Sequence, residues 1–118
     1  MPAQGASQPM ESLLKQEVAC SEQLLECLQR ERGALAQHDL DALEQITRTK
    51  LEHSEQLERL EQERRHQLAM LGFDQDGEGL RQYCKTLPNY TQLFQLWQQV
   101  ISNIEACQAD NLTNGGIL

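Results

Sequence analysis

The side chains that could do chemistry in this chain are three histidines, four cysteines and one short acidic run. The histidines stand far apart, at His38, His53 and His66. Metal ligands on a helix lie on adjacent turns, and no two of these histidines do. The run Asp74-x-Asp76-x-Glu78 places oxygen atoms at alternate positions, as a calcium loop does, but it lacks the later bidentate glutamate. We therefore predict that the chain has no metal site.

The cysteines are Cys20, Cys27, Cys84 and Cys107, and they form neither a Cys-x-x-Cys pair nor a disulfide framework. Cys20 and Cys27 are two helical turns apart, about 10 Å at ~1.5 Å per residue, which is too far for a disulfide. We expect all four to be small buried hydrophobic residues. No serine or cysteine lies in a nucleophile motif and no glycine-rich loop follows a strand. The sequence therefore predicts a protein that is not an enzyme and uses no cofactor.

Net charge and composition limit the partners of the chain. Its 118 residues carry a formal net charge of −8, and only 4% of them are aromatic. This acidity argues against nucleic acid and against an anionic membrane surface, because both need clustered cationic side chains. No apolar run approaches the ~20 residues that cross a bilayer. The segment Met1 to Pro9 has neither the cationic start nor the apolar core of a secretory signal, so we expect a cytoplasmic protein.

Two apolar stripes lie side by side on the predicted first helix, residues 9–37. The first is a heptad seam of Leu14, Val18, Leu25, Leu28 and Leu35. Ser21 and Arg32 interrupt this seam. The second stripe consists of Leu13, Cys20, Leu24 and Cys27. Two adjacent stripes predict contact with two neighbouring helices, as in a bundle, rather than with one as in a simple zipper.

The second helix is predicted over residues 40–71, after a break at His38-Asp39. Asp39 is a suitable N-cap, and Gly72 supplies the stop. The core candidates of this helix are Leu43, Ile46, Leu57, Leu60, Leu68 and Leu71. Because the connection is short, the first two helices should be antiparallel neighbours.

These elements predict an all-α fold, an elongated antiparallel helical hairpin plus a third long helix, packed as a three-helix coiled-coil-like bundle. Residues 1–8 are predicted to be a disordered tail, and residues 9–118 a single helical domain. After an acidic loop, a short helix is predicted over about residues 80–87, where Pro88 ends it. The last helix runs over residues 89–110 or beyond.

The last helix combines a wide apolar stripe with an opposite face that is mostly glutamine. The apolar residues recur at steps of three and four, at Tyr90, Leu93, Phe94, Trp97, Val100, Ile101, Ile104 and Cys107. A surface helix usually carries many more charges, so this pattern favours the binding of another polypeptide. The candidate partner-binding residues are Tyr90, Phe94, Trp97, Ile101, Ile104, Asn111, Asn114 and Gly115.

A second interpretation of the same helix is that most of these side chains form the third element of the bundle core. The stripe is wider than one seam needs, so we predict that Tyr90, Phe94 and Ile101 stay partly exposed. Asn111 and Asn114 could instead cap the helix and form a turn, with Gly115 and its neighbouring glycine as the stop.

Several short runs in this chain belong together in a known pattern. They are Glu31-Arg32-Gly33-Ala34-Leu35 before the break, Asp39-Leu40-Asp41-Ala42-Leu43 after it, Thr49-Lys50, and Leu57-Glu58-Arg59-Leu60-Glu61-Gln62-Glu63-Arg64-Arg65. A Leu-Gly break follows, and the last helix ends in Asn111-x-x-Asn114-Gly115, the most specific element. With these runs the chain resembles the FlgN family of flagellar export chaperones, from about Leu13 to Leu118.

The resemblance implies a small cytoplasmic helical protein of bacterial flagellar type III export, a monomer or at most a weak homodimer. Such a chaperone binds the C-terminal segments of hook-associated proteins, which form the hook–filament junction. It prevents their premature assembly and delivers them to the export apparatus by helix-in-groove binding. The alternative is a structural coiled-coil adaptor or dimerisation protein without a client. A helical regulator that sequesters a transcription factor is a third interpretation.

One departure from the family pattern concerns the end of the chain. Family members typically continue past the Asn-Gly element with a further apolar helical stretch and a glycine-containing tail, where substrate contact is usually placed. This sequence stops at Leu118, so we expect either a truncated chain or a short member. The pattern also implies that the helix continues through Asn114-Gly115.

Overall fold

The computed structural model describes the backbone of residues 9–117 and the side chains of residues 9–115. Within that range the chain forms four α-helices, α1 (Met10–Gln37), α2 (Leu40–Met70), α3 (Gly77–Cys84) and α4 (Tyr90–Ile117). They make an elongated body of 52 × 26 × 20 Å, and the predicted all-α fold is confirmed. In the same range, no helix has the length and apolar run that a membrane crossing requires. The predicted tail at residues 1–8 lies outside the described residues.

Two residues join α1 to α2, and the first of them, His38, is left-handed. His38 has φ 56° and ψ 36°, and the Asp39 N–H donates to the Ala34 carbonyl oxygen at 3.0 Å. The Asp39 carboxylate accepts the Ala42 N–H at 3.1 Å, so the predicted N-cap is confirmed. This short reversal places the two helices side by side and antiparallel, as their connection predicts.

The first helix, α1, is the centre of the molecule. Both α2 and α4 pack along it, and in the described part of the chain the backbones of α2 and α4 stay apart from each other. α4 runs parallel to α1, because Asn103 pairs with Ser21 and Asp110 pairs with Arg32. The two stripes of α1 thus predict its two neighbours correctly.

The core lies where α1 packs against the second half of α2 and the first half of α4. The fully buried apolar side chains there include Leu13, Leu14, Leu68, Leu80, Leu93 and Val100. Each such leucine contributes about 1.5–3 kcal/mol relative to an exposed one. The core positions predicted in α2 at Leu57, Leu60 and Leu68 are confirmed.

The core position predicted at Leu71 is wrong, because this side chain is 49% exposed. α2 ends at Met70, and the chain turns away at Gly72, where φ is +85°. The Phe73 N–H donates back to the Leu68 carbonyl oxygen at 2.9 Å, and the Phe73 ring packs against the core. Phe73, and not Leu71, therefore packs against the core after the end of α2.

The short helix α3 begins three residues earlier than the expected range of 80–87 and ends at Cys84. It starts early because the Asp76 carboxylate accepts the Gly79 N–H at 2.8 Å and acts as the N-cap. Gly79 is required at this point, since a Cβ there would collide with the Asp74 carbonyl oxygen. The acidic run with calcium-like spacing is a helix start in this fold.

Two glycine substitutions should change the free energy of unfolding in opposite directions. Gly33→Ala adds a methyl group to open space in α1 and should raise it by about 1 kcal/mol, the difference in helix propensity. Gly79→Ala forces a methyl group into the backbone of Asp74 and should lower it by more than about 1 kcal/mol. Urea denaturation of both variants measures the pair, and an unchanged midpoint for Gly79→Ala would contradict the close approach.

Candidate functional site

An open groove of about 430 Å³ lies between α2 and α4, with α1 as its floor. We call it the α2–α4 groove. The floor consists of Leu24 and Leu28. The α2 wall consists of Lys50, Ser54, Leu57 and Glu61, and the α4 wall of Ile104, Cys107, Gln108 and Asn111. Both walls follow steps of three and four, so each is one face of its helix.

The groove offers no reactive group of its own. All four cysteines are buried and free, as predicted. Burial, with the nearby charge of Asp110, raises the pKa of the Cys107 thiol to about 11. Cys107 therefore stays protonated at neutral pH and behaves as a small apolar wall residue. Among the described side chains, no three histidine, cysteine, aspartate or glutamate residues gather as metal ligands would.

One end of the groove, next to α3, is closed by a buried ion pair that reaches all three long helices. Glu17 of α1 accepts Arg64 Nε of α2 with both carboxylate oxygens, at 3.2 and 3.0 Å. The guanidinium carbon of Arg64 lies 4.6 Å from the centroid of the Trp97 ring of α4. Burial raises the pKa of Glu17, although Arg64 acts in the opposite direction. We call this set the Glu17 bridge.

The other end, next to the α1–α2 turn, is closed by a second glutamate of α1. Lys50 Nζ of α2 lies 2.8 Å from Glu31 Oε2, and Asn114 Nδ2 of α4 donates to Glu31 Oε1 at 2.9 Å. Asn114 Nδ2 also donates to the Leu28 carbonyl oxygen at 2.8 Å. Burial alone would raise the pKa of Glu31, but the hydrogen bonds from Lys50 and Asn114 outweigh it and lower the pKa. We call this set the Glu31 bridge.

Arg32 extends the Glu31 bridge to the outer side of α4. Its Nη2 lies 2.8 Å from Asp110 Oδ1, and its Nε donates to Asn114 Oδ1 at 3.3 Å. Asn114 is 2% exposed, so its amide is used entirely within the chain. These contacts, with the Thr113 hydroxyl donating to the Ala109 carbonyl oxygen at 3.0 Å, support a helix that continues through Gly115 to Ile117. The expectation of a helix stop at Gly115 is therefore wrong, and the family pattern is right.

The structure separates the predicted partner-binding residues into two groups. One group follows the groove: Ile104 and Asn111 line it, Ile101 lies about one turn before Ile104, and Gly115 lies one turn beyond Asn111. Ile101 is 39% exposed, and nothing lies within 4 Å of a Cβ placed on Gly115. In this half of the α4 stripe Ile101, Asn111 and Gly115 are exposed, and Ile104 is half-buried.

The second group lies outside the groove. Tyr90 is exposed at the start of α4, and Arg81 of α3 covers the Phe94 ring at 4.8 Å from its centroid. Trp97 belongs to the Glu17 bridge, and Asn114 belongs to the Glu31 bridge. The structure therefore does not bring all eight predicted residues to one surface. It adds Leu24, Leu28 and the α2 wall, which the sequence does not single out as a site.

Sequence reasoning misses the polar side chains buried between the helices. Glu17, Ser21 and Arg64 are among the most buried residues, although their types are common on surfaces. Ser21 Oγ accepts a hydrogen bond from Asn103 Nδ2 at 3.1 Å. The interruptions of the heptad seam at Ser21 and Arg32 are the available signal, because each interrupting residue meets a polar side chain of α4.

The chain matches a known protein family by its sequence and a solved protein structure by its fold. The family model described as FlgN protein matches residues 1–118. A crystal structure from Pseudomonas aeruginosa, described as a flagella synthesis protein FlgN, matches with a TM-score of 0.88 at 29% sequence identity. That match covers 99% of this chain and 89% of the other. No curated protein matches the chain significantly.

Removing one partner of the Glu17 bridge should destabilise the fold far more than removing both. Arg64→Met leaves a buried carboxylate without its counter-charge and should cost about 3–5 kcal/mol of unfolding free energy. The double variant Glu17→Met with Arg64→Met should recover most of that loss. The deficit of Arg64→Met should shrink as pH falls, because burial raises the pKa of Glu17 and protonation neutralises it. Denaturant melts at pH 5 and pH 8 test this, and equal deficits for single and double variants would contradict it.

The Glu31 bridge should contribute stability that depends on pH. Because the pKa of Glu31 is lowered in the fold, its contribution is present above its ordinary value of 4.5 and is lost as pH falls further. Glu31→Gln should therefore cost on the order of 1–2 kcal/mol at pH 7 and progressively less below pH 4.5. Thermal melts of both proteins from pH 7 to pH 3 measure this, with Glu22→Gln on the same helix as a control for net charge. A deficit that stays constant across this range would contradict the ionic bridge.

Proposed function

Since this chain belongs to the FlgN family, we propose that it is a flagellar export chaperone whose α2–α4 groove binds the C-terminal segments of hook-associated proteins. It holds these segments in the cytoplasm, prevents the premature assembly of the junction between hook and filament, and delivers the subunits to the type III export apparatus. The family is one of flagellar export chaperones, which supports the general role. The client, the site and the delivery step are our proposal.

The observation that carries this proposal is the unfilled groove itself. Two long helices pack on a third and leave its leucines at the bottom of an open channel. A helix bundle is completed when a fourth helix covers such a channel. An amphipathic helix from another protein has the required shape and apolar face, and recognition of this kind makes and breaks no covalent bond.

The chemistry of the walls fits an exchangeable partner. The apolar lining consists of the partly exposed Leu24 and Ile104 above the buried Leu28 and Leu57. Ser54, Gln108 and Asn111 provide uncharged hydrogen-bonding groups. Apolar contact supplies affinity, and the neutral polar groups satisfy part of the polar edge of a bound helix. Such a surface suits reversible binding of a segment that must later be released.

The alternative, a coiled-coil adaptor without a client, needs a free heptad seam for self-association. Most side chains of both stripes of α1 are instead buried against helices of the same chain. The exposed large apolar side chains Leu40, Leu51, Met70, Leu71, Tyr90, Ile101 and Leu112 are distributed over α2, α4 and the turn after α2 and form no heptad seam. No observation therefore favours the adaptor over the chaperone.

A charge placed inside the groove should weaken client binding, while the same charge one residue further along should not. Gln108 lines the groove, and Ala109 is exposed about 100° further round α4. Gln108→Glu should lower the affinity for the C-terminal fragment of a hook-associated protein about tenfold, because binding would desolvate an unpaired carboxylate. Ala109→Glu is the matched control and should bind like the original chain.

Isothermal calorimetry with the C-terminal fragment measures the affinities of Gln108→Glu and Ala109→Glu. Thermal melts check that both variants remain folded. Equal loss of affinity in the two variants would show a general charge effect and contradict the groove. An absence of binding by the unmodified chain would end the client proposal.

A further inference from the structure

The charged side chains on the walls of the α2–α4 groove distinguish the two possible orientations of a bound helix. We propose that the groove takes one amphipathic helix of about four turns, parallel to α4, with its amino end beside Glu61 and its carboxyl end beside Lys50. This inference rests on the proposed function, because it describes the occupant of the same groove. It specifies the length of the bound helix and the direction in which that helix lies.

The length follows from the two bridges. Glu17 and Glu31 lie on one face of α1, fourteen residues apart, which is about 21 Å at ~1.5 Å per residue. The Glu17 bridge connects α2 to α4 through Arg64 and Trp97, and the Glu31 bridge connects them through Lys50 and Asn114. The open channel lies between these two cross-connections. A helix lying in it has room for about four turns.

The direction follows from charge. A helix carries partial positive charge at its amino end and partial negative charge at its carboxyl end. On the α2 wall, Glu61 lies one turn before Arg64, near the Glu17 bridge, and Lys50 belongs to the Glu31 bridge. An occupant whose amino end lies at Glu61 and whose carboxyl end lies at Lys50 meets the opposite charge at both ends. The reverse orientation meets like charge at both ends.

Both wall charges are partly compensated within the chain and still reach the groove. Lys50 pairs with Glu31, and its side chain remains 27% exposed. Glu61 pairs with Arg65 over a longer distance of 3.6 Å, and its side chain remains 24% exposed. The α4 wall contributes no charged group to the lining, so the charged side chains that line the channel are Lys50 and Glu61 of α2.

The same geometry distinguishes a chain end from an internal helix. A free α-carboxylate adds a full negative charge to the carboxyl end of a helix, next to Lys50 in this orientation. A terminal helix therefore fits better here than an internal one that must continue past the Glu31 bridge.

Trp97 is the only tryptophan of the chain and lies at the Glu61 end of the groove, which makes it a donor for energy transfer. Asn111, towards the far end, is about 21 Å further along α4 at ~1.5 Å per residue. Tryptophan-free peptides of about 14 residues, ~21 Å as helices, from the C-terminal segment of a hook-associated protein are first screened by calorimetry. The peptide that binds is then labelled with a dansyl group at its amino end or at its carboxyl end.

The proposal predicts that the label at the amino end accepts energy from Trp97 several-fold more efficiently than the label at the carboxyl end. Stronger transfer to the carboxyl end, or equal transfer to both, would overturn the proposed orientation while leaving groove binding intact. If no peptide binds and the whole C-terminal fragment does not bind either, the proposed function fails and the inference fails with it.

A charge reversal provides an independent measurement. Glu61→Lys should lower the affinity of the unlabelled peptide about fivefold, because it places a positive charge beside the positive helix end. Glu55→Lys makes the same change on the exposed outer face of α2 and should leave the affinity unchanged. Equal affinities for Glu61→Lys and Glu55→Lys would contradict the electrostatic basis of the orientation.

Discussion

Two glutamates on one face of α1 fix the geometry on which the rest of the molecule depends. A buried carboxylate must find charge or hydrogen-bond donors within the protein, because water is excluded. Glu17 finds Arg64 of α2, which in turn stacks on Trp97 of α4. Glu31 finds Lys50 of α2 and an amide of α4. Each glutamate is thus satisfied through both flanking helices, and the separation of those helices is set at two points.

This arrangement explains why the groove stays open. If α2 and α4 moved together to cover Leu24 completely, the contacts of both glutamates would be distorted or broken. Burying charged pairs adds little net stability compared with apolar packing of the same volume, so the bridges are better understood as determinants of geometry. Their effect is to leave Leu24 of α1 partly exposed at the bottom of a channel between fixed walls.

The sequence predicts the framework better than the site, and the reasons are physical. Apolar periodicity and local capping are encoded by residues close together in the chain, so the long helices and the Asp39 cap can be inferred directly. The pairing of Glu17 with Arg64 joins residues 47 positions apart. In a chain with many surface Glu and Arg residues, nothing local marks these two as buried. The groove depends on such pairings, so only half of its α4 wall was predicted and its α2 wall was not.

Asn114 is a second residue whose role depends on distant contacts that its local sequence does not reveal. Its position before Gly115 suggests a turn, because both residue types favour helix ends. Its side chain instead bonds to the Leu28 carbonyl oxygen and to Glu31, and these distant contacts outweigh the local preference. The difference between the two interpretations lies entirely in tertiary contacts that α4 makes with α1.

The polar pairs between α1 and α4 also fix the register of α4 along α1, which leucine packing alone would leave ambiguous. Apolar seams repeat every seven residues, so one helix can slip along another by a heptad and still bury similar side chains. In this chain a slipped α4 would carry the amides of Asn103 and Asn114 away from Ser21 and from the Leu28 carbonyl oxygen, and would strand them among apolar neighbours. The correct alignment is therefore the only one in which these groups are satisfied, and sliding misalignments of the last helix are penalised as the chain folds.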